Sequence, residues 1–172
     1  MIKVLNILDS MDLGQGGPPE VIRNLKKSLN KNDKTISVLC TVRLKYKIFL
    51  KFLFSSKARS KLFRFLNQYD IIHAHTIWSL KICLLTLFAN TLGIKVIFSS
   101  HGYLDDWSMS HSVFKKKLFY YLILRKFFLR SNIFFSNIGE YEDSKFKLSY
   151  ADKFVIPNGI NTIMYDQDYG KK

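Results

Sequence analysis

The sequence predicts an α/β fold in which a parallel sheet is covered by helices on both faces. The first observation is that short apolar runs rich in Val, Ile and Phe recur along the chain, as is typical of buried strands. The second is that stretches with helical spacing lie between these runs. The third is the length of 172 residues, which allows one domain with a substantial core but not two of ordinary size.

Six runs are predicted to be buried strands: "IKVLNIL", "KTISVLC", "YDIIHAH", "IKVIFSSHG", "NIFFSN" and "KFVIPNG". Pro18 and Pro19 suit the first turn of the first helix, where a missing N–H costs nothing. Gly93 suits the end of the helix that precedes the fourth run. Segment 43–67 reads as one or two basic, Phe-rich helices, where a doubly wound fold usually has a further strand.

The charge of the chain predicts an anionic partner. The net charge is +14, and segments 34–68 and 107–139 contain nine and six Lys or Arg with no acid. Bulky apolar residues fill the gaps between these cations, a pattern that suits the surface of an anionic membrane. The alternative is a solvated basic face over an aromatic core. Nucleic acid is not expected as a partner, because no recognition helix, RNP or zinc-finger motif accompanies the charge.

The sequence favours a cytoplasmic protein that lies on the inner face of the cell membrane. Cys40 and Cys83 form no CxxC pair, and no cleavable signal precedes the first apolar run. Charges at Lys51, Arg125 and Lys126 interrupt the longest apolar stretches well short of the roughly 20 residues that a spanning helix needs. Peripheral contact is therefore expected rather than a membrane span.

The stretch "DLGQGGPPEVIRNL" places a glycine-rich turn between the first strand and the first helix. Gly16 and Gly17 would let a phosphate or a sugar approach the backbone at a helix N-terminus. The dinucleotide fingerprint is not met, because Pro19 occupies its third small position, and no Walker Lys-Ser/Thr follows. A glycine turn without a ligand is the simpler alternative.

Three histidines lie near the ends of predicted strands. His73 and His75 are two apart and share one strand face, and His101 ends the fourth run before a glycine. One alternative is a zinc site, in which Asp105 or Asp106 would complete the ligands. Another is that the imidazoles, His73 above all, are structural groups satisfied by the backbone.

Four motifs, "GQGGPPEVIRNL", "YDIIHAHTIWS", "VIFSSHG" and "KFVIPNGIN", in this order and spacing, resemble the amino-terminal half of family 4 glycosyltransferases of the GT-B fold. The resemblance implies a Rossmann-like domain over residues 1–161, with 162–172 as the start of an interdomain connection or a tail. In that family two such domains face each other across a cleft. The first mainly holds the acceptor and the second mainly holds a nucleotide-sugar.

The resemblance implies transfer of a sugar from a nucleotide-diphosphate sugar to a glycan or lipid-linked acceptor. The anomeric configuration is retained in that family, and no cofactor or catalytic metal is needed. The family's second half, with its Arg and Lys for the diphosphate and its Glu-x7-Glu motif, has no counterpart in the sequence. Either the sequence is that of a fragment or a truncated gene product, or another chain supplies the second half. The alternative is a non-catalytic module that docks an acceptor or a membrane.

The resemblance also implies roles for particular residues. His101 matches the histidine that reaches the transferred sugar or the reacting centre, and is the expected catalytic residue. The expected substrate-binding residues are Gly16 and Gly17 in the turn that approaches the diphosphate, His75, Gly102, Glu140 in "SNIGEYE", and Asn158 in the last strand-to-connection segment.

Overall fold

The computed structural model describes residues 1–11, 18–31, 34–42, 54–128, 131–144 and 152–159. These residues contain a six-stranded parallel sheet with the order β2-β1-β3-β4-β5-β6. The strands are β1 (Ile2–Leu8), β2 (Thr35–Thr41), β3 (Ile71–Ala74), β4 (Lys95–Ser99), β5 (Asn132–Phe135) and β6 (Lys153–Val155). Each coincides with one of the six apolar runs, which confirms the predicted Rossmann-like α/β class.

Helices connect the strands. They are α1 (Pro18–Asn30), α2 (Ser56–Leu66), α3 (Leu80–Thr91), α4 (Asp106–Ser110), α5 (Val113–Phe119), α6 (Arg125–Phe128) and α7 (Ile138–Asp143), with a π-helical segment, Tyr120–Leu124, between α5 and α6. The first helix begins at Pro18, as predicted, because proline fits the first helical position. Gly93 follows α3 with φ +76°, a backbone conformation that glycine adopts without strain.

The main core lies on one face of the sheet. Its strand residues alternate along β1, β3, β4 and β5, as side chains on one face of a strand must. They are Leu5, Ile7, Ile72, Ala74, Val96, Phe98, Ile133 and Phe135, and they pack with buried residues of α2, α3 and the π-helical segment. Phe98 and Ile72 have 0% and 1% of their surface exposed.

The opposite face is more polar, and α1 lies over it. Ile22 of α1 is fully buried, but Asn6, His73 and Ser99 interrupt the apolar residues of this face. A parallel sheet that is covered on both sides normally has near-continuous apolar strands. Buried polar groups on this face therefore need partners within the protein, and they identify it as the face to search for a site.

Three expectations differ from the structure or fall on residues outside the described ranges. The prediction that "KFVIPNG" is a buried strand is wrong, because all three residues of β6 are exposed at the sheet edge, where only β5 pairs with them. In segment 43–67, residues 43–53 lie outside the described residues, and α2 accounts for the rest, with Ser55 as its N-cap. The expected domain boundary at residue 161 also lies outside the described residues.

Within the described ranges, no helix is long and apolar enough to cross a bilayer.

Candidate functional site

The strand order reverses between β1 and β3, so this is the topological switch point of the sheet. In open α/β sheets, ligands bind outside the carboxyl ends of the strands at such a point. A groove of about 1180 Å³ lies between α1 and the polar face of the sheet and reaches this edge. Its lining includes His73, His75, Ser99, His101, Ser136 and Asn158.

A chain of hydrogen bonds crosses the switch point and ends at His101. The Asn6 side-chain nitrogen donates to the hydroxyl of Ser37 at 2.8 Å and to the carbonyl of Val38 at 3.3 Å. Its oxygen lies 3.0 Å from Nε2 of His75. Nδ1 of His75 lies 3.0 Å from Nε2 of His101, and the two ring planes are within 24° of parallel with their centroids 5.3 Å apart. Residues of β2 and β1 and the ends of β3 and β4 thus hold one another in register.

His73 lies beside this chain and has a partner of its own. Its ring centroid is 4.0 Å from that of His75, which confirms that the two residues share one strand face. Its Nε2 lies 2.7 Å from the hydroxyl of Ser99 on the adjacent strand. A side-chain hydroxyl, rather than the backbone group expected for a structural histidine, therefore satisfies this imidazole.

Burial keeps the three imidazoles uncharged at neutral pH. It lowers the pKa of His73 from 6.5 to about 3, with a smaller contribution from His101. Burial, followed by the neighbouring His73 and His101, holds the pKa of His75 well below its ordinary value. The pKa of His101 is also lowered by burial, which the nearby carboxylate of Glu140 opposes. The site therefore offers neutral hydrogen-bonding groups rather than a cationic cluster.

His101 and Gly102 form the centre of a tight turn. The Tyr103 N–H donates to the carbonyl of Ser100 at 2.8 Å, and both central residues have positive φ values, +46° and +80°. Positive φ at both central positions is typical of a type I′ turn. It is uncommon for a histidine, so surrounding contacts must hold it. Ser100 anchors the turn to β5 by donating its N–H and its hydroxyl to the carbonyl of Phe134.

Glu140 supports this turn from α7. Its carboxylate accepts the Gly102 N–H through one oxygen, and the N–H and hydroxyl of Ser136 through the other, at 3.0 and 2.8 Å. Only 4% of the residue is exposed. Glu140 also lies in the first turn of α7, where a negative charge is favourable. The carboxylate therefore joins the end of β5 to the turn after β4.

The other expected site residues are placed less fully. Gly16 and Gly17 lie outside the described residues. Asn158 follows β6, is exposed and lines the groove, whereas Gly102 and Glu140 are not among the lining residues. Asp105, a candidate zinc ligand, instead caps α4 by accepting the Ser108 N–H at 2.6 Å. No group of three or more His, Cys, Asp or Glu in the described part of the chain could hold a metal ion.

Sequence reasoning missed two polar residues that bond the histidines. Asn6 connects β2 to His75, and Ser99 bonds His73. A third residue, Asp9, lies just after β1 and accepts from the hydroxyl of Ser79 at 2.9 Å. Asn6 and Ser99 lie inside or at the end of apolar runs that were interpreted only as strands. The available signal was the polar residue itself, because a buried strand rarely contains an amide without a specific partner.

The comparisons with known proteins agree with this architecture. The family model described as Glycosyltransferase Family 4 matches residues 16–163. No curated protein matches the chain. The matched range includes α1, β2 to β6 and all three groove histidines. Because it covers most of the 172 residues, the chain belongs to glycosyltransferase family 4.

Proposed function

We propose that this chain is the acceptor-side half of a retaining glycosyltransferase. It takes part in the transfer of a sugar from a nucleotide-diphosphate sugar to a glycan or lipid-linked acceptor in the synthesis of a bacterial surface polysaccharide. Family membership supports glycosyl transfer in general. The single observation that carries the proposal for this site is the His75–His101 pair, which lines a large groove at the switch point of the sheet.

His101 is the proposed catalytic residue, in contact with the transferred sugar at the reacting centre. Its neutral imidazole suits this role, because a sugar offers hydroxyl groups that pair with uncharged acceptors and donors. The backbone of the turn at Gly102 and the side chain of Asn158 complete the proposed sugar and acceptor contacts, and His75 contributes through its hydrogen bond to His101, since both of its ring nitrogens have partners within the protein. Glu140 acts on this surface through the Gly102 N–H, since its carboxylate is buried.

A donor domain is proposed to carry the nucleotide-sugar site. The expected diphosphate contacts of Gly16 and Gly17 are backbone contacts, and the leaving diphosphate also needs cationic groups that neutralise its developing charge. We assign these cations to a donor domain that faces the groove. The proposed reaction uses the nucleotide-sugar as substrate and needs no further cofactor or metal.

Titration calorimetry tests this division of labour. The purified chain is titrated with UDP- and GDP-sugars, alone and mixed with a separately expressed candidate donor domain that contains Glu-x7-Glu. We expect binding in the mixture that exceeds the sum of the two separate titrations. The same titration with the His101→Ala variant should retain binding but lose sugar transfer. The absence of a binding signal in every titration would favour the alternative, a docking module without transferase activity.

The proposed membrane contact rests on the surface of α5, the π-helical segment and α6, termed the α5–α6 surface. Phe114, Leu118, Tyr121 and Leu122 are exposed there, with 78% of Phe114 accessible. The spacing of Phe114, Leu118 and Leu122 places them on one side of the helix. Lys115, Lys117, Arg125 and Lys126 are exposed beside them. Apolar groups flanked by cations suit insertion into the headgroup region of an anionic bilayer.

Lys116 differs from its two neighbours. Its Nζ donates to the carbonyl and hydroxyl of Ser108 and lies 5.5 Å from the ring centroid of Trp78. It therefore holds α5 against α4 and the loop after β3. A charge-reversal test of the membrane surface should leave this lysine in place and change only its exposed neighbours.

Vesicle binding tests the α5–α6 surface. The Lys115→Glu/Lys117→Glu variant should bind phosphatidylglycerol-containing vesicles at least tenfold more weakly, since each charge near the surface contributes about 1 kcal/mol. Lys27→Glu/Lys31→Glu, with both positions exposed at the end of α1, is the charge-matched control. Equal binding by the wild-type chain and both variants would exclude this surface. Binding to nucleic acid in place of vesicles would identify a different partner.

A further inference from the structure

The hydrogen-bonding chain to His101 begins at an atom whose role is fixed, the carbonyl oxygen of Val38, which can only accept. One terminal atom of the Asn6 amide lies 3.3 Å from this oxygen and 2.8 Å from the hydroxyl of Ser37. An amide turned the other way would place two acceptor oxygens against each other. The Asn6 nitrogen therefore faces β2, and the Asn6 oxygen faces His75.

The orientation of Asn6 determines the protons on both histidines. Its oxygen accepts only, so the His75 Nε2, 3.0 Å away, must carry a proton. Because burial keeps His75 neutral, its other nitrogen, Nδ1, has no proton and must accept. The group 3.0 Å from that nitrogen is Nε2 of His101, which therefore donates.

We infer that Asn6 and His75 are positioning residues that hold His101 as its Nε2–H tautomer, so that Nδ1 is the proton-accepting atom of His101. The two residues achieve this through fixed strands: Asn6 is in the middle of β1, and His75 directly follows β3 with its N–H bonded to the carbonyl of Ile7. Both side chains are buried, with 0% and 1% exposed. The hydrogen-bond direction is thus set by the sheet and not by a ligand.

The chemical consequence concerns the sugar, and this step rests on the proposed function. Because Nε2–H of His101 donates its hydrogen bond to His75, the neutral ring has a lone pair at Nδ1. This nitrogen therefore accepts a hydrogen bond from a hydroxyl group. The opposite tautomer would offer an N–H at that position and would pair instead with an oxygen that accepts. The series of hydrogen bonds that begins at Val38 therefore determines whether His101 contacts a hydroxyl that donates or an oxygen that accepts.

The direction can be measured in the full chain without any substrate. In protein labelled with ¹⁵N-histidine, scalar coupling across an N–H···N hydrogen bond identifies the nitrogen that carries the proton. We expect the shared proton to be bound to Nε2 of His101 and coupled to Nδ1 of His75. A proton bound to Nδ1 of His75 would overturn the inference. Because no sugar is present, this result is independent of whether the chain takes part in glycosyl transfer.

Variants at Asn6 test whether this residue sets the direction. Asn6→Leu removes the acceptor for His75 Nε2–H, so a second set of resonances with the proton on His75 Nδ1 should appear. Asn6→Asp keeps an oxygen acceptor for His75 and should preserve the wild-type direction while the carboxyl is protonated, since its O–H then replaces the amide N–H toward Val38. If the leucine variant fails to fold, the direction measured in the wild-type chain still decides the inference. Asn30→Ala is the matched control, because the side-chain bonds of Asn30 among the described residues are to the backbone of Ser37 and not to a histidine. Unchanged direction in a folded Asn6→Leu variant, or reversal in Asn6→Asp, would contradict the role of Asn6.

Discussion

The groove lined by His73, His75 and His101, termed the histidine groove, and the α5–α6 surface differ in which side chains they bury and which they expose. In the groove, buried polar side chains satisfy one another: Asn6 bonds His75, and His75 bonds His101. On the α5–α6 surface, large apolar side chains such as Phe114 and Leu118 remain exposed to water beside exposed cations. The first arrangement is complete within the chain and fixes geometry, whereas the second is favourable only against an apolar, anionic partner.

This difference has a physical origin in the sheet. The carboxyl ends of parallel strands bring side chains from β1, β3 and β4 to one edge, where each can be held by its neighbours. The helices after β4 have only one side to bury, and Tyr120 and Leu124 occupy that side. We therefore expect substitutions in the groove to change stability, and substitutions on the α5–α6 surface to change binding.

Lowering the pH should give the largest effect on the free energy of unfolding, because it protonates the histidines of the groove and leaves the charges of the α5–α6 surface unchanged. Histidines of the unfolded chain become protonated below about pH 6.5, whereas His73 in the folded chain stays unprotonated until about pH 3. Stability is therefore complete above about pH 6.5 and falls as the pH approaches 3, by on the order of 5 kcal/mol for this group. Urea unfolding at pH 7, 5.5 and 4 measures the slope.

Two variants show whether the acid effect belongs to the groove. His73→Gln removes one buried titrating group and should reduce the slope of unfolding free energy against pH, with His75 and His101 accounting for the slope that remains. His111→Gln, at an exposed histidine bonded to the carbonyl of Trp107, is the matched control substitution. The same slope for the wild-type chain and both variants would show that the buried histidine does not cause the loss.

Removal of the Glu140 carboxylate should give the next largest effect. Glu140→Ala leaves the N–H groups of Gly102 and Ser136 without their acceptor, at a cost of about 3 kcal/mol of unfolding free energy. The ¹⁵N resonances of His101 should also shift, since the turn loses its support. Glu142→Ala, at an exposed position of the same helix, is the control. Equal stability of the two variants would mean that Glu140 does not hold the turn.

Gly102→Ala tests the turn itself with a smaller change. The backbone at Gly102 has φ +80°, which should cost an alanine about 1–2 kcal/mol, although the added methyl group would meet only an ordinary contact at 3.5 Å. Gly159→Ala has open space around it and should be nearly neutral. Thermal unfolding of the two variants compares them directly. A stable Gly102→Ala chain with unshifted His101 resonances would argue against a strained turn.

The α5–α6 surface should give the smallest effect on folding. Leu118→Ala removes a half-exposed side chain and should change unfolding free energy by less than about 0.5 kcal/mol, while vesicle binding weakens. Leu124→Ala, at a fully buried position in the same helical region, should instead cost about 2–5 kcal/mol. If Leu118→Ala destabilised the chain as much, the surface would be part of the core.

The sequence predicted the fold well because burial on two faces leaves apolar runs that are easy to recognise. It failed at β6, since an edge strand of similar composition can remain exposed. The sequence does not distinguish Lys116 from Lys115 and Lys117 beside it, and only packing shows that Lys116 bonds Ser108. Asn6 was hidden within "IKVLNIL", because its importance depends on Ser37, Val38 and His75, which are distant in sequence.

The site was predicted in part. His75 and His101 were identified by their places at strand ends, and strand register brings them together. Glu140 was expected to contact substrate, but its buried carboxylate bonds the turn, so substrate contact by that residue stays a prediction. The donor side could not be derived, because its proposed cationic groups have no counterpart in this sequence.

The most direct test of the central claim, that the histidine groove holds the sugar, is the response of the labelled histidines to a nucleotide-sugar in the presence of the candidate donor domain. His111 is an internal control, because it is exposed and lies on the turn between α4 and α5. We expect the ¹⁵N resonances of His75 and His101 to shift in proportion to binding measured by calorimetry, with His111 unchanged. Saturable binding that leaves His75 and His101 unshifted would place the sugar elsewhere and contradict the account.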